Sequence, residues 1–333
     1  MIARKLGLSE QNDFALLEVL GGECAGAVSL LPEDVQPDAH PDYRLLTSGE
    51  LNTLIEGLPN RPMLAGEAGI RLSLAGAQNK LPVYFDDLQI SLPMSGAPSS
   101  HILKPPMAGL PHTVENETFC MRVARQMGLP VPMVQILQEA QPLYLISRYD
   151  REPGASGGLR RLHQEDFCQA LGVPPDTKYE AEGGPGLKDC FNLVREHSIQ
   201  PVADIKVLLD WVILNYFIGN ADAHAKNISL LLTDEGPRLA PFYDLMCTAV
   251  YPQLATRMAM EIGSENRPEW IIEGRWRAFS EEIGVNFRLV HKRLNEVSRT
   301  ILDGAGQVTN QLQEQYGECD ICQEIIGVLN DRC

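Results

Sequence analysis

Residues 207–218 (VLLDWVILNYFI) are the most apolar run in the chain, and they limit what it can fold into. The run is short of the roughly 20 apolar residues that a bilayer crossing needs, and Asp210 interrupts it. Extended back to residue 203, it reads as a helix that is apolar on nearly all sides, which belongs inside a folded core. The chain leaves that core at Gly219 and enters GNADAHAKNISLLL, residues 219–232. A dense set of polar, chemistry-bearing side chains is thus delivered by a buried helix to a loop.

The composition narrows the function. Forty-four acids against 28 Lys and Arg give a net charge of -16, which argues against unaided binding to nucleic acid or an anionic membrane. The N-terminal MIARKLGLSEQNDF has no apolar stretch of the secretory type, so a cytoplasmic location is expected. Eight cysteines show no framework spacing. The C-x-x-C pair Cys319 and Cys322 lies in a predicted C-terminal helix without a second pair or a His pair. It reads as two thiols in a reducing compartment rather than as a metal or redox site.

Along the chain the periodicity changes character. The first sixty residues mix short pieces, with a helix over 13–20 closed by Gly21 and Gly22. In IRLSLAGAQNKLPVYF, residues 70–85, apolar residues alternate on both sides of the turn Gly76-Ala77-Gln78-Asn79, which predicts a β-hairpin. Strands follow in LQISLP and in HILK, the latter stopped by Pro105 and Pro106. A helix over 115–127 and strands over 133–136 and 143–147 complete the β-rich part. Beyond the Gly-rich RYDREPGASGGLR come helices over 164–171 and 203–218, short strands over 228–232 and at 239, and helices to the end. The expectation is an α+β, bilobal chain: residues 1–60 as a leading piece, 61–150 as a β-rich lobe, and 151–333 as a helical lobe.

The loop after the apolar helix carries the chemistry. Asp222 and Asn227 are five positions apart, with His224 between them, and Asp244 follows Pro241-Phe242-Tyr243. Phosphoryl transfer needs this set: a carboxylate for the acceptor hydroxyl, then an amide and a second carboxylate for magnesium. Any one of these residues alone is most simply a turn or cap residue; the ordered spacing argues for catalysis. Lys104 ends the HILK strand, and Glu117, with Glu115 as a rival, sits on the next helix where a carboxylate would orient that lysine. Ser147-Arg148-Tyr149 falls between the lobes, where an adenine ring would dock. These residues alone leave three readings open: a protein kinase, a small-molecule phosphotransferase of the antibiotic or lipid type, and a catalytically silent kinase-like binding module.

RLSLAGAQNK, HILKPP, VENETFCMRVARQMGLPVP, KYEAEGGPG, GNADAHAKN and PFYDLM, in that order, resemble the HipA family of bacterial toxin kinases. The resemblance implies a protein-kinase-like bilobal fold and an ATP- and Mg2+-dependent serine/threonine kinase of a toxin–antitoxin system that phosphorylates an aminoacyl-tRNA synthetase. It makes Asp222 the catalytic aspartate, and Asn227 and Asp244 the magnesium ligands. Lys104, Ser147, Tyr149, His224 and Tyr243 fall on the ATP site, together with the hairpin tip at Ser73, Ala75, Gly76 and Ala77. Glu117 orients the lysine, and Ser73 is the autophosphorylated serine. The family often has an acidic residue where Ser147 stands. DFALLEVLGGECAGAV resembles only the closing part of the family's N-terminal subdomain, which points to the short HipT branch of three-part HipBST systems. A small HipS-like protein would then supply the missing piece, and DNA would be reached only through a HipB-like helix-turn-helix antitoxin. The branch implies the tryptophanyl synthetase as target and HipA itself the glutamyl enzyme. Arg71 stands where HipT carries a second serine, which leaves that choice open.

Overall fold

The computed structural model describes residues 9, 12, 14, 15, 17, 21–30, 33, 41–60, 64, 78–86, 88–154 and 158–333. Its backbone divides into two compact units, Met1–Val114 with Met133–Gln164, and Glu115–Pro132 with Glu165–Cys333. The protein is mixed α/β, and the sheet and most of the helices segregate between the units.

The first unit is built on a six-stranded sheet. Its strands are β1 (Asp42–Leu45), β2 (Leu81–Phe85), β3 (Ile90–Met94), β4 (His101–Lys104), β5 (Val134–Gln138) and β6 (Pro142–Ser147), in the order β1-β3-β2-β4-β6-β5. Its neighbouring strands pair antiparallel throughout. Helix α1 (Ser48–Gly57) starts in a capping box, in which Thr47 and Glu50 each satisfy the other's backbone N–H. Its Leu51 and Ile55 join Leu58 and Leu64 in one core with Leu81, Val83, Leu92, Leu103, Leu143 and Leu145 of the sheet. A small hairpin, β7 (Arg151–Pro153) with β8 (Leu159–Arg161), follows. β2 is the second strand of the expected 70–85 hairpin. The first strand, with Arg71, and the tip at Ser73, Ala75, Gly76 and Ala77 lie outside the described residues. Of the expected 13–20 helix, residues 14, 15 and 17 are helical.

The first unit also holds a buried cluster of charge. The Glu23 carboxylate accepts hydrogen bonds from Ser99 N–H and Oγ (2.9 and 2.8 Å), Arg148 Nη1 (3.0 Å), Arg151 Nη2 (2.8 Å) and Arg161 Nη2 (2.5 Å). Asp150 pairs with Arg148 at 2.7 Å and takes the Gly26 N–H at 2.7 Å. Burial alone would raise these two acids. The arginine charges around them, Arg148 first, win and hold Glu23 below its usual range and Asp150 down to about 2.

The second unit holds most of α2 (Thr113–Gln126), then β9 (His163–Asp166), which enters it from the first unit. Helices α3 (Phe167–Ala170), α4 (Leu187–His197) and α5 (Pro201–Ile218) follow, then β10 (Ser229–Thr233), β11 (Gly236–Leu239), α6 (Glu273–Glu282), α7 (Phe287–Tyr316) and α8 (Asp320–Arg332). α5 is the apolar helix of the sequence. It starts at Pro201, which fits a first-turn position, and packs against α4, α7 and α8. Leu208, Leu209, Trp211, Ile213, Leu214 and Ile218 are buried, with Trp211 stacked on Phe242 at 5.7 Å. Asp210 is tolerated there because Arg293 of α7 bonds it at 2.6 Å. No helix among the described residues is long and apolar enough to cross a membrane.

Two expectations change. The predicted 164–171 helix is a strand up to Asp166 and a helix only from Phe167, because Asp166 caps it. Asp166 Oδ1 accepts the Gln169 N–H at 2.9 Å, and Gln169 Oε1 accepts the Asp166 N–H at 2.9 Å. The second is the C-x-x-C pair, which is a disulfide rather than two thiols. Cys319 is the residue before α8, and its Cα lies 5.5 Å from that of Cys322, within disulfide range.

Glu23→Ala strips one acid from two buried arginines, Arg148 and Arg151, and from the partly exposed Arg161, and is expected to cost about 3–5 kcal/mol in chemical denaturation. The contribution of Asp150, worth about 2 kcal/mol, has a definite sign in pH. It is fully present above the ordinary carboxylate value of 3.8 and is lost as pH falls toward about 2. An Asp150→Asn protein should lose less of its remaining stability than wild type over that window, measured by urea midpoint.

Candidate functional site

Helix α5 ends at Gly219, whose φ of +74° is left-handed. A side chain there would also collide, its Cβ lying 2.8 Å from the Ala249 methyl and 2.9 Å from Val328. The loop beyond is held by amides. Asn215 Nδ2 donates to Trp211 O at 2.8 Å, Asn220 Nδ2 donates to Asn215 Oδ1 at 2.8 Å, and Asn220 Oδ1 accepts the Asp222 N–H at 3.2 Å. Thr248 Oγ1 accepts the Ala221 N–H at 2.7 Å and donates to Gly219 O at 3.1 Å. Asp222 thus leaves a fixed backbone with its carboxylate 55% exposed.

Around it the residues of the expected constellation converge. His224 is buried, with Nε2 3.9 Å from Asp222 Oδ1 and Nδ1 without a hydrogen-bond partner. Burial lowers the His224 pKa against the opposing pull of Asp222, which keeps the ring neutral at neutral pH. Asn227 Oδ1 accepts the His224 N–H at 3.1 Å, and Asn227 Nδ2 stands 3.5 Å from Asp244 Oδ2. Tyr243 donates its hydroxyl to Lys226 O at 2.8 Å, and Lys226 pairs with Asp166 at 3.0 Å. Asp244 itself has φ +53°, a left-handed conformation that costs a non-glycine residue energy.

Asn227 and Asp244 suit magnesium in donor chemistry. Both are hard oxygen donors, and two protein ligands are what a cation shared with phosphate oxygens requires. Asn227 Oδ1, although bonded to the His224 N–H, keeps a second lone pair. No group of three or more His, Cys, Asp or Glu that could hold a metal exists among the described residues.

Two participants, Tyr179 and Asn116, escaped the sequence reading. Tyr179 donates its hydroxyl to Asp222 Oδ1 at 2.8 Å, across 43 residues, with its ring edge-on to His224 at 5.4 Å. Burial and this bond to a carboxylate both raise the Tyr179 pKa, so it stays a donor. Asn116 of α2, fully buried, donates to Cys247 O at 2.9 Å and accepts the Cys247 N–H at 2.8 Å. It also donates to the Tyr251 hydroxyl at 3.2 Å. This pins the backbone three residues past Asp244. Arg148, named with Ser147 and Tyr149 in the expected adenine segment, has its side chain in the Glu23 cluster. Asn116 stands in VENETF beside Glu117, and Tyr179 in KYEAEGGPG, so both were inside quoted motifs without a role.

In the first unit Lys104 ends β4, 5% exposed, with its ammonium 5.3 Å from the centre of the Tyr144 ring opposite it on β6. Ser147 Oγ accepts the Met133 N–H at 3.1 Å and donates to Met133 O at 3.2 Å. The Tyr149 hydroxyl bonds Gln164. Glu117 is buried on α2, within the second unit, as is the half-exposed Glu115.

Comparison with known proteins gives these residues a setting. The sequence model of the HipA-like C-terminal domain matches residues 72–305. The kinase-named protein Y4mE of Sinorhizobium fredii is 46% identical over 320 residues, 94% of this chain and 76% of that protein. A Shewanella oneidensis protein named serine/threonine-protein kinase toxin HipA is 32% identical over 321 residues, 92% of this chain and 73% of its own. The solved structure of the Shewanella oneidensis toxin–antitoxin complex of HipA, HipB and operator DNA superposes with a TM-score of 0.83. That match has 29% identity and covers 99% of this chain and 79% of that one. By the extent of the domain match and by relatives that agree along almost its whole length, this chain belongs to the HipA-like family.

Proposed function

We propose that the chain is an ATP- and magnesium-dependent serine/threonine protein kinase with a bilobal, kinase-like arrangement, acting as the toxin of a toxin–antitoxin system in the cytoplasm. The observation that carries this reading is the continuous run Asp222–His224–Asn227–Asp244, anchored by buried amides at the end of α5. Its family membership supports it, since relatives carry kinase and toxin names. A fold used only for binding has no need of an exposed carboxylate on a fixed loop beside a magnesium-type donor pair.

In the proposed mechanism Asp222 accepts the proton of the acceptor serine or threonine hydroxyl. That oxygen bonds to the γ-phosphorus as the bond to the ADP oxygen breaks. Asn227 and Asp244 would hold Mg2+, which would supply charge neutralisation for the phosphates. Lys104 grips the phosphates and Glu117 orients it. Ser147 and Tyr149 present the adenine edge, while His224 and Tyr243 complete the nucleotide wall. The 73–77 tip, with Ser73, Ala75, Gly76 and Ala77, covers the phosphates through backbone N–H groups. Because the transition state is loose, positioning and charge supply most of the rate.

The target we propose is an aminoacyl-tRNA synthetase, tryptophanyl or glutamyl, whose phosphorylation stops translation. The neutralising partners are a HipB-like antitoxin and, on the HipT reading, a small HipS-like protein. A net charge of -16 supports contact with DNA only through such a partner. Ser73 is the autophosphorylation site, and its phosphate, at about -1.5 to -2 charges, repels the phosphates that the tip must approach.

Asp222→Asn is expected to lower the phosphorylation rate by about 10²–10⁴-fold, measured with radiolabelled ATP and cell lysate. Phosphosite mass spectrometry on the same samples should place the lost sites on a synthetase; an unchanged rate overturns the assignment of the base. Protein phosphorylated at Ser73 is expected to bind ATP at least tenfold more weakly than Ser73→Ala protein by calorimetry. Equal affinity removes Ser73 as a switch.

A further inference from the structure

The motif KYEAEGGPG, residues 178–186, has no part in the proposed mechanism, yet it brings a phenol to the Asp222 carboxylate. The Tyr179 hydroxyl donates to Asp222 Oδ1 at 2.8 Å, and His224 Nε2 stands 3.9 Å from the same oxygen. The other oxygen, Oδ2, makes no hydrogen bond to a described residue, and the side chain is 55% exposed. One oxygen is thus engaged and one is open.

The contact is built into the backbone from both sides. A third segment, residues 258–262, ties the two loops together. Its Ala259 N–H donates at 2.9 Å to the carbonyl of Ala221, the residue before Asp222. Ala259 O accepts the N–H of Glu180, the residue after Tyr179, at 3.4 Å. Glu261 N–H donates to the Glu180 carboxylate at 2.6 Å. Met258, Met260 and Ile262 are buried and anchor this segment in the interior. The turn after Tyr179 closes on the Tyr179 carbonyl, which accepts the N–H groups of Glu182 at 3.0 Å and Gly184 at 2.9 Å. Position 184 must be glycine for the turn to close so tightly, because a Cβ there would lie 2.3 Å from Thr177 O. The phenol ring itself lies edge-on to the buried His224 ring at 5.4 Å. Hydroxyl and carboxylate therefore meet on one shared frame.

We propose that Tyr179 is a positioning residue for phosphoryl transfer: its hydroxyl fixes Asp222 Oδ1, so that Oδ2 is the oxygen that meets the acceptor hydroxyl. The inference rests on the kinase reading, in which Asp222 takes the acceptor proton. An aspartate carboxylate turns easily about its last torsion, and a donor 2.8 Å from one oxygen sets its plane. Alignment is what this chemistry asks of the protein. In the step itself the acceptor proton passes to Oδ2, the acceptor oxygen bonds to the γ-phosphorus, and the bond to the ADP oxygen breaks. Tyr179 keeps its own proton throughout, since burial and then the bond to Asp222 raise its pKa.

The test uses the full-length protein and Tyr179→Phe, which keeps the ring against His224 and removes only the donor. Label transfer from radiolabelled ATP to lysate protein is followed at varied ATP concentration. The apparent kcat is expected to fall about tenfold, while KM for ATP stays within about twofold of wild type. On an Asp222→Asn background the same substitution should change the rate less than about twofold, because no carboxylate is left to position. An equal fall on both backgrounds marks a general structural effect and overturns the positioning role. A rise in KM at unchanged kcat, a rate equal to wild type, or a faster rate, which would make Tyr179 a competitor of the acceptor, overturns it as well. In each of these cases transfer that depends on Asp222 leaves the kinase reading standing. Wild-type transfer no faster than that of Asp222→Asn overturns both.

Discussion

The candidate site depends on one constraint: irregular backbone that runs through a protein interior must still satisfy its N–H and C=O groups. Residues 219–227 and 241–251 are such backbone, largely buried and mostly outside regular helix or strand. Asparagine meets the need because its amide donates and accepts at once. Asn116 bonds both backbone groups of Cys247, while Asn215, Asn220 and Asn227 bond within the loop that carries Asp222. An aspartate in place of Asn116 would lack the donor for Cys247 O and leave a buried carbonyl unmet, at a cost of about 1–3 kcal/mol. The other end of the segment is fixed similarly, where Phe242 N–H donates to Pro130 O at 2.9 Å. The stretch containing Tyr243 and Asp244 is therefore stretched between two anchors on the α2 side of its own unit.

The first unit solves a comparable problem with charge instead of amides. Glu23, Arg148, Asp150 and Arg151 are almost wholly buried, and such clusters are weak evidence of net stability because desolvation offsets much of the attraction. What the cluster does provide is register. It ties residues 23–26 to residues 148–151 across about 125 positions of sequence. Arg148 points into it while Ser147 and Tyr149, its neighbours, make their own separate bonds. The backbone of the proposed adenine contacts is thus set from beneath by electrostatics, a role that a neutral residue of similar size would not fill.

Local signals in the sequence carried much of this, and long-range ones did not. The apolar run ending at Gly219 was legible as a buried helix because apolarity on all faces admits little else. The strands β2 to β6 were legible from alternation and from the proline stops. Asp222 and Asn227 were legible as a pair because spacing within one short loop is a local property, whereas Asp244 comes only after β10 and β11 and was joined to them by its order in the chain. Tyr179 was not, since nothing in KYEAEGGPG announces that its hydroxyl reaches a carboxylate 43 residues away. Glu23 hid in the same way: a lone acid in LGGECAGAV reads as solvated until three distant arginines surround it. The 164–171 helix failed for a different reason. Its Asp166-x-x-Gln169 capping box was present in the sequence, but helical periodicity was allowed to run through it.

Asp244 shows how these devices combine. Its left-handed backbone would suit glycine or asparagine better, and an aspartate there costs energy of order 1–3 kcal/mol. Such a conformation persists only where the surroundings over-determine it, and they do: Phe242 is pinned to Pro130 on one side and Cys247 to Asn116 on the other. Asn227 is buried and Asp244 partly so, but packing alone does not require a left-handed aspartate 3.5 Å from the amide that organises the Asp222 loop. That conformation has a use if the carboxylate must meet a cation at a fixed point. The buried asparagines, which look like structural detail, are then the means by which the fold keeps a metal ligand in a conformation it would otherwise leave.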